Sequence, residues 1–422
     1  MPKAQEKTNR QQFLRLNRRS FLRILCPIAL GILSPPWLLQ AQQRRPESTI
    51  MNKQSVTLFL CGDVMTGRGI DQILPHPVDP EIYESYVKDA RDYVKLAERI
   101  NGPIDKPVDF AYIWGDTLAE LEQQVPDVRI INLETAVTAS NSYLPKGINY
   151  RMHPANSPCL KAASIDCCVL ANNHVLDWGE AGLEETLATL TKAGIKYAGA
   201  GCTLDEAQAP AILTLPNKGR VVVFSFGAES SGIGQNWRAK IDRPGVNLLP
   251  DLSDSTVHVI ADQVQHIKKA GDIVIASIHW GGNWGYIIGH NQRRFAHALI
   301  DIAAVDVVHG HSSHHIKGIE VYKDHPIIYG CGDFLTDYEG ISGYEKYRDD
   351  LGLMYFPTLD PTSGRLLRFE MTPTRLKNFR INRASRKEAQ WLVDVLNREG
   401  KPFNTRVTLS EDNHLTLQFS NN

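Results

Sequence analysis

From Val56 onward, short runs of consecutive apolar residues alternate with stretches whose apolar positions recur at helical spacing. Apolar runs bounded by Gly, Asn or His predict strands buried on both faces, and the periodic stretches predict amphipathic helices. Strands are expected at Val56–Cys61, Ile165–Leu170, Arg220–Phe226, Ile273–Ile278 and Val305–Val308. Helices are expected at Gly182–Ala193, stopped by Gly194, at Val257–Ala270, followed by Gly271, and at Arg293–Ala304. This alternation predicts an α/β fold. Residues 72–126, rich in Pro, Asp and Tyr, interrupt it early and read as an insertion, either one wall of a cleft or a packed structural excursion.

From about Leu351 the pattern changes. Arg365–Thr372 is strand-like after the Ser363-Gly364 turn, Arg386–Asn397 is an amphipathic helix, and Arg406–Phe419 reads as two strands around Glu411-Asp412-Asn413. No group of polar residues there suggests chemistry, so 351–422 is read as a small C-terminal α+β lobe accessory to a main domain at 53–350.

The N-terminus has a different character. Asn17-Arg18-Arg19-Ser20-Phe21-Leu22-Arg23 precedes an apolar run, Ile24–Leu39, broken by Pro27, Pro35 and Pro36. That run is shorter than the ~20 apolar residues of a membrane span. Residues 1–45 therefore read as a signal sequence and resemble a bacterial twin-arginine export address, which implies the periplasm or cell envelope. An uncleaved anchor helix is the alternative.

Charge sharpens the division. Of 46 Lys/Arg and 47 Asp/Glu, nine and one fall in residues 1–45, leaving 37 basic against 46 acidic residues in the body. A mildly acidic body argues against nucleic acid as a partner. The seven cysteines form no C-x-x-C pair, which excludes zinc-ribbon and thioredoxin-type sites. Cys61, Cys167 and Cys168 sit in apolar runs as small hydrophobes, the last two on opposite strand faces.

Candidate chemistry gathers at strand ends, where open α/β sheets bind ligands. Asp63 follows the first strand and Glu134 follows Ile130-Ile131-Asn132-Leu133. Asn173 and His174 follow the Ile165 strand, His279 the Ile273 strand, and His311 and His314 the Val305 strand. Mixed imidazole and carboxylate donors suit one or two divalent transition-metal ions, Mn, Zn or Fe. Two metals together could clamp an in-line displacement. Arg68 could grip an anionic group, and Trp280 and Trp284, with Tyr286, could line a cleft. Lys146 and Arg151, flanking Tyr150, could meet a polyanion, but read first as a solvated loop. No Gly-rich Walker loop is present, which argues against ATP-driven ligation by this chain.

Six motifs in order resemble those of the poly-γ-glutamate capsule-synthesis family known as CapA. They are Gly62-Asp63-Val64-Met65-Thr66-Gly67-Arg68, Asn132-Leu133-Glu134, Ala171-Asn172-Asn173-His174 with Asp177 and Gly179, His279-Trp280-Gly281, Gly310-His311-Ser312-Ser313-His314, and Tyr329-Gly330-Cys331-Gly332-Asp333-Phe334. The family is related to calcineurin-like metallophosphoesterases. The resemblance therefore implies a four-layer α/β/β/α sandwich and a two-metal hydrolase-type site. It places Asp63 and His314 on one metal, Asn173, His279 and His311 on the other, Glu134 as the bridge, and His174 beside the leaving group. Asp63 and His174 would be the catalytic pair, and Arg68, Trp280 and Trp284 the candidate substrate contacts. Met65 stands where the superfamily has a histidine, which leaves the first metal short of a ligand. The implied role is in synthesis of poly-γ-glutamate or a related anionic envelope polymer, alongside membrane-bound synthesis or export proteins. A periplasmic phosphate-ester hydrolase unrelated to capsule and a non-enzymatic polymer-binding protein are the alternatives.

Overall fold

The computed structural model describes residues 55–419, so the signal-type segment 1–45 lies outside the described residues. The body is mixed α/β. One ten-stranded sheet runs in the order Arg406–Leu409, Leu415–Gln418, Leu366–Lys377, Leu351–Leu359, Val56–Val64, Val128–Leu133, Cys167–Val169, Lys196–Ala198. Asp333–Leu335 pairs with its Val56–Val64 strand and Arg380–Arg383 with Leu366–Lys377. A six-stranded sheet runs Ile319–Tyr322, His325–Ile328, Val307–His311, Asp272–His279, Gly219–Gly227, Ala211–Leu215.

Strands expected from the apolar runs form in parallel registers. Val56–Val64 pairs parallel with Val128–Leu133, and Asp272–His279 with both Gly219–Gly227 and Val307–His311. Period-two alternation then sorts each strand between two cores. Leu58, Leu60, Ile130, Cys167, Val221, Ile273, Val307 and Leu353 join one cluster fed by both sheets. Phe59, Ile131 and Cys168 face the other side of the first sheet, against the helix Gly179–Lys192. Cys167 and Cys168 thus do point to opposite faces. Val222, Val274 and Val308 pack against the helices Asp254–Ile267 and His290–Asp301.

One expectation changes, and one open alternative is decided. The segment from Leu351 does not stand apart, because Leu351–Leu359 pairs antiparallel with Val56–Val64, the first strand among the described residues, and extends the main sheet. The nine-residue run is buried throughout, which the sequence pattern did not separate from its surroundings. Residues 72–126 are the packed excursion: Ile73, Tyr93, Ile113 and Trp114 are buried in the outer core of the first sheet.

Candidate metal centre

The strand ends converge because the backbone lets them. A Cβ on Gly62 would lie 1.6 Å from the carbonyl oxygen of Gly332, so only glycine permits this crossing. There the Asp63 N–H donates to the Gly332 carbonyl at 3.1 Å. Asp63 and Asp333 become register partners on adjacent parallel strands. His279 and His311, each the last residue of its strand, are register partners in the other sheet.

Two groups of donor atoms result, each drawn within 4.8 Å: Asp63, His279 and His311, and Asp63, His314 and Asp333. Asp63 belongs to both. It accepts from the Asn132 amide at 2.7 Å and from the Ser312 backbone N–H at 3.2 Å. Ser312 holds φ at +97°, a strained conformation of the sort that gathers at functional sites.

Hydrogen bonds fix the tautomers in this centre. The Cys61 carbonyl can only accept, so His309 donates to it from Nε2, at 2.8 Å. His309 Nδ1 then accepts from the Ser277 hydroxyl at 3.0 Å, and Ser277 Oγ accepts from His311 Nε2 at 3.0 Å. His311 Nδ1 is left as a bare lone pair, 2.8 Å from His279 Nδ1. His279 Nε2 faces the Asn173 amide oxygen at 2.9 Å, and donating there leaves both facing nitrogens bare. A neutral His279 cannot satisfy both neighbours, and a cation held by both rings and Asp63 removes the conflict. In the second group Asp333 accepts from His314 Nδ1 at 3.0 Å, yet its buried Oδ2 has no hydrogen-bond partner among the described residues. Buried polar atoms without partners are rare in folded proteins. The donor set therefore fits divalent N/O-ligated metal.

Electrostatics agree. Burial, then the Asp333 charge, raises the Asp63 carboxyl above its ordinary range. Burial, then Asp63, drives Glu134 well up. Burial, then His174, pushes the His279 ring well below its ordinary value, and burial, then His279, does the same for His311. Burial also pulls on His314, but the Asp333 carboxylate outweighs it and the net shift is upward. A bound dication would reverse the penalty on the carboxylates.

A cavity of about 230 Å³ opens beside these donor groups, lined by Glu134, Lys146, His174 and His279 among others. His174 donates from Nδ1 to Asp177 at 2.6 Å, so its Nε2 is the bare nitrogen. That Nε2 lies 3.9 Å from the Glu134 carboxylate, which is also 3.7 Å from His279 Nε2. The His174 ring stacks on Tyr150, centroids 3.8 Å apart. Burial first holds the His174 ring down, to about 4, despite Asp177.

Most of the anticipated residues meet here: Asp63, Asn173, His174, His279, His311 and His314, with Glu134 alongside. The shared position falls to Asp63, however, and Glu134 lies in neither donor group. Asp333 stands in the second donor group, and its motif was visible in the sequence without this placement. Asp177, Ser277 and His309 orient rings; only Asp177 was marked by a motif.

Of the three anticipated substrate contacts, Arg68 and Trp280 are buried off the cavity wall and Trp284 stands beside it. Arg68 is buried, its Nε donating to Asp337 at 3.1 Å and its Nη1 to Glu84 at 2.7 Å, with Nη2 also on Asp337. Its guanidinium is spent on carboxylates that the sequence spacing could not reveal. Trp280 is buried in the helix-side core, its indole N–H donating to the Tyr329 carbonyl at 3.1 Å. Trp284 is partly exposed near His314, but one face is covered by Tyr344 at 3.9 Å.

Comparison with known proteins follows this geometry. Residues 57–338 match the family described as bacterial capsule synthesis protein PGA_cap. A "probable polyglutamine synthesis accessory protein" of Mycobacterium tuberculosis is 48% identical over 368 residues, 87% of this chain and 97% of that protein. The "PGA biosynthesis protein CapA" of Bacillus subtilis is 26% identical over 369 residues, 87% of this chain and 83% of its own. The "capsule biosynthesis protein CapA" of Bacillus anthracis is 22% identical over 339 residues, covering 80% and 72%.

Proposed function

The chain belongs to the bacterial capsule synthesis protein family PGA_cap, and from that premise we propose that it serves synthesis of a polyglutamate-type envelope polymer through a metal-dependent hydrolase-type centre. The observation that carries the chemical part is the pair of donor groups sharing Asp63. Bound metal would supply Lewis acidity toward a carbonyl or phosphoryl oxygen and lower the pKa of water. Asp63, His279 and His311 would hold one ion, and Asp63, His314 and Asp333 the other. Asn173 orients His279 through its amide. His174, its tautomer set by Asp177, presents a bare Nε2 that can accept or relay a proton within the cavity. The four-layer α/β/β/α arrangement belongs to the same reading, supported by one core fed by both sheets and one helix-packed core outside each.

Export is part of the proposal and rests on Arg18-Arg19 and the apolar run after them. Replacing both arginines with lysine should hold the protein in the cytoplasm, measured by cell fractionation.

Metal content tests the centre. The chain purified without chelator should carry up to two transition-metal ions, and His279→Ala should lower both the content and any hydrolysis of a γ-glutamyl amide. Hydrolysis that persists unchanged in a metal-free His279→Ala protein would end the metal-dependent reading, and no hydrolysis by the metal-loaded wild-type chain would leave a polymer-binding role.

A further inference from the structure

We infer that Lys146 seats one carboxylate of the substrate, so that this cavity selects a carboxylate-bearing unit over a phosphate ester. The inference rests on the cavity being the substrate site, as proposed above.

Lys146 lines the cavity, and its side chain is 28% exposed. Its ammonium donates to the Asn173 carbonyl and pairs with Asp177 Oδ1 at 2.7 Å. A third neighbour, His174 Nδ1 at 3.4 Å, already donates to Asp177 and cannot accept. The Trp237 ring centre lies 5.1 Å from the ammonium nitrogen, so the remaining ammonium hydrogen is shared between that ring and the cavity. Asp177 is fully buried and is not part of the cavity wall, so the pair presents its positive end.

Nothing else on the described wall carries a permanent positive charge. The two nearby guanidiniums are closed. Arg68 is held by Asp337 and Glu84. Arg151 donates to the Ser140 carbonyl at 2.6 Å and to Asn141 at 2.9 Å, and lies 3.8 Å over the Trp178 ring. Phosphoryl groups are commonly gripped by forked, multiple donors. A single ammonium point charge matches a single carboxylate.

Position narrows the choice further. From Lys146 the path crosses the His174 ring to Glu134 at 3.9 Å, and Glu134 is 3.7 Å from the ligand His279. A carboxylate on Lys146 thus belongs to the unit that carries the reacting bond, not to a distant neighbour. A second cavity of about 230 Å³ adjoins through Tyr338. Its wall carries Glu339, Glu345, Asp349 and Asp350 against one Arg348. A polyanion would be repelled along that direction, so a polymer would enter by one terminal unit with its remainder leading away from this acidic cavity.

The test is calorimetric binding to the full chain with Mn present. The probes are a γ-glutamyl anilide, its α-carboxamide counterpart and phenyl phosphate. The wild-type protein should bind the carboxylate probe about tenfold or more tightly than the carboxamide, as one charge-assisted hydrogen bond would give. Lys146→Met should abolish that preference and leave the carboxamide within about twofold of wild type, while Lys146→Arg should keep it. Equal loss for both probes in Lys146→Met would make Lys146 a purely structural pin for the Asn173 loop and overturn the inference. Tighter binding of phenyl phosphate than of the carboxylate would overturn it as well. Should Lys146→Met not fold, the wild-type ratio of carboxylate to carboxamide still decides, since a ratio near one excludes a carboxylate seat. These ratios need no turnover, so a protein that binds both ways as expected but hydrolyses nothing fails the catalytic proposal and not this one.

Discussion

Two buried charged clusters touch the same pair of tyrosines, Tyr150 and Tyr338, whose hydroxyls lie 2.7 Å apart. Around Arg68 every guanidinium nitrogen reaches a carboxylate, and the Tyr93 and Tyr150 rings lie 3.9 and 4.7 Å from its centre. Around Asp63 the accounts stay open: two imidazole nitrogens face each other, and an Asp333 oxygen has no partner among the described residues. Both clusters are largely buried. The difference is closure, and closure separates an internal brace from a site that awaits a ligand.

The comparison can be broken first at the closed side. Arg68→Met leaves Asp337 and Glu84 buried without their counter-charge and should cost about 3–5 kcal/mol in urea unfolding. Asp63→Asn should cost far less in chelated protein while removing metal binding. If Asp63→Asn proved as damaging to the metal-free fold as Arg68→Met, the two clusters would not differ in kind.

Acid sharpens the same contrast. Burial holds His309 down to about 4 from an ordinary 6.5. Between those values the unfolded chain binds a proton that the native ring refuses, so stability is full above pH 6.5 and is lost as pH falls toward 4. The loss should reach about 3 kcal/mol for this ring, and His309→Gln should flatten the slope by one proton in chelated protein. In the brace the Arg68 guanidinium does not titrate there, and burial raises the Asp337 carboxyl, whose contribution runs with the opposite sign as pH falls.

Metal addition should act on the open cluster only. At about 100 times its dissociation constant, Mn or Zn should stabilise the wild-type chain by about 2.7 kcal/mol per site, seen as a raised Tm. Asp63→Asn should abolish the shift, and Asp333→Asn should retain the part due to the His279–His311 ion. The smallest effect belongs to the rim: Trp284→Ala should lose about 0.5–1.5 kcal/mol with Tyr344 and leave metal stoichiometry unchanged.

Much of the centre was legible because strand-end placement follows directly from apolar runs. Val56–Val64, Asp272–His279 and Val307–His311 are long enough to fix where Asp63, His279 and His311 emerge. What the sequence concealed depends on pairing across long separations. The same run of letters that makes Arg68 look like an anion grip gives no sign of Asp337, which the fold brings to it. Trp280 follows His279 in sequence, yet its side chain turns into the helix-side core. Asp333 was hidden for the same reason, since only the Gly62–Gly332 crossing places it beside Asp63.

The antiparallel pairing of Leu351–Leu359 with the first strand also bears on how the protein is made. Thr57 and Thr358 share a hydrogen bond at 3.0 Å although 301 residues separate them. During synthesis, the Val56–Val64 strand must wait for Leu351–Leu359, one of the three strands that pair with it, until most of the chain has left the ribosome. Contacts of such long range slow folding and prolong the exposure of unpaired edges. A polypeptide truncated before Leu351 would leave that edge bare, and is expected to accumulate as aggregate while a full-length chain matures.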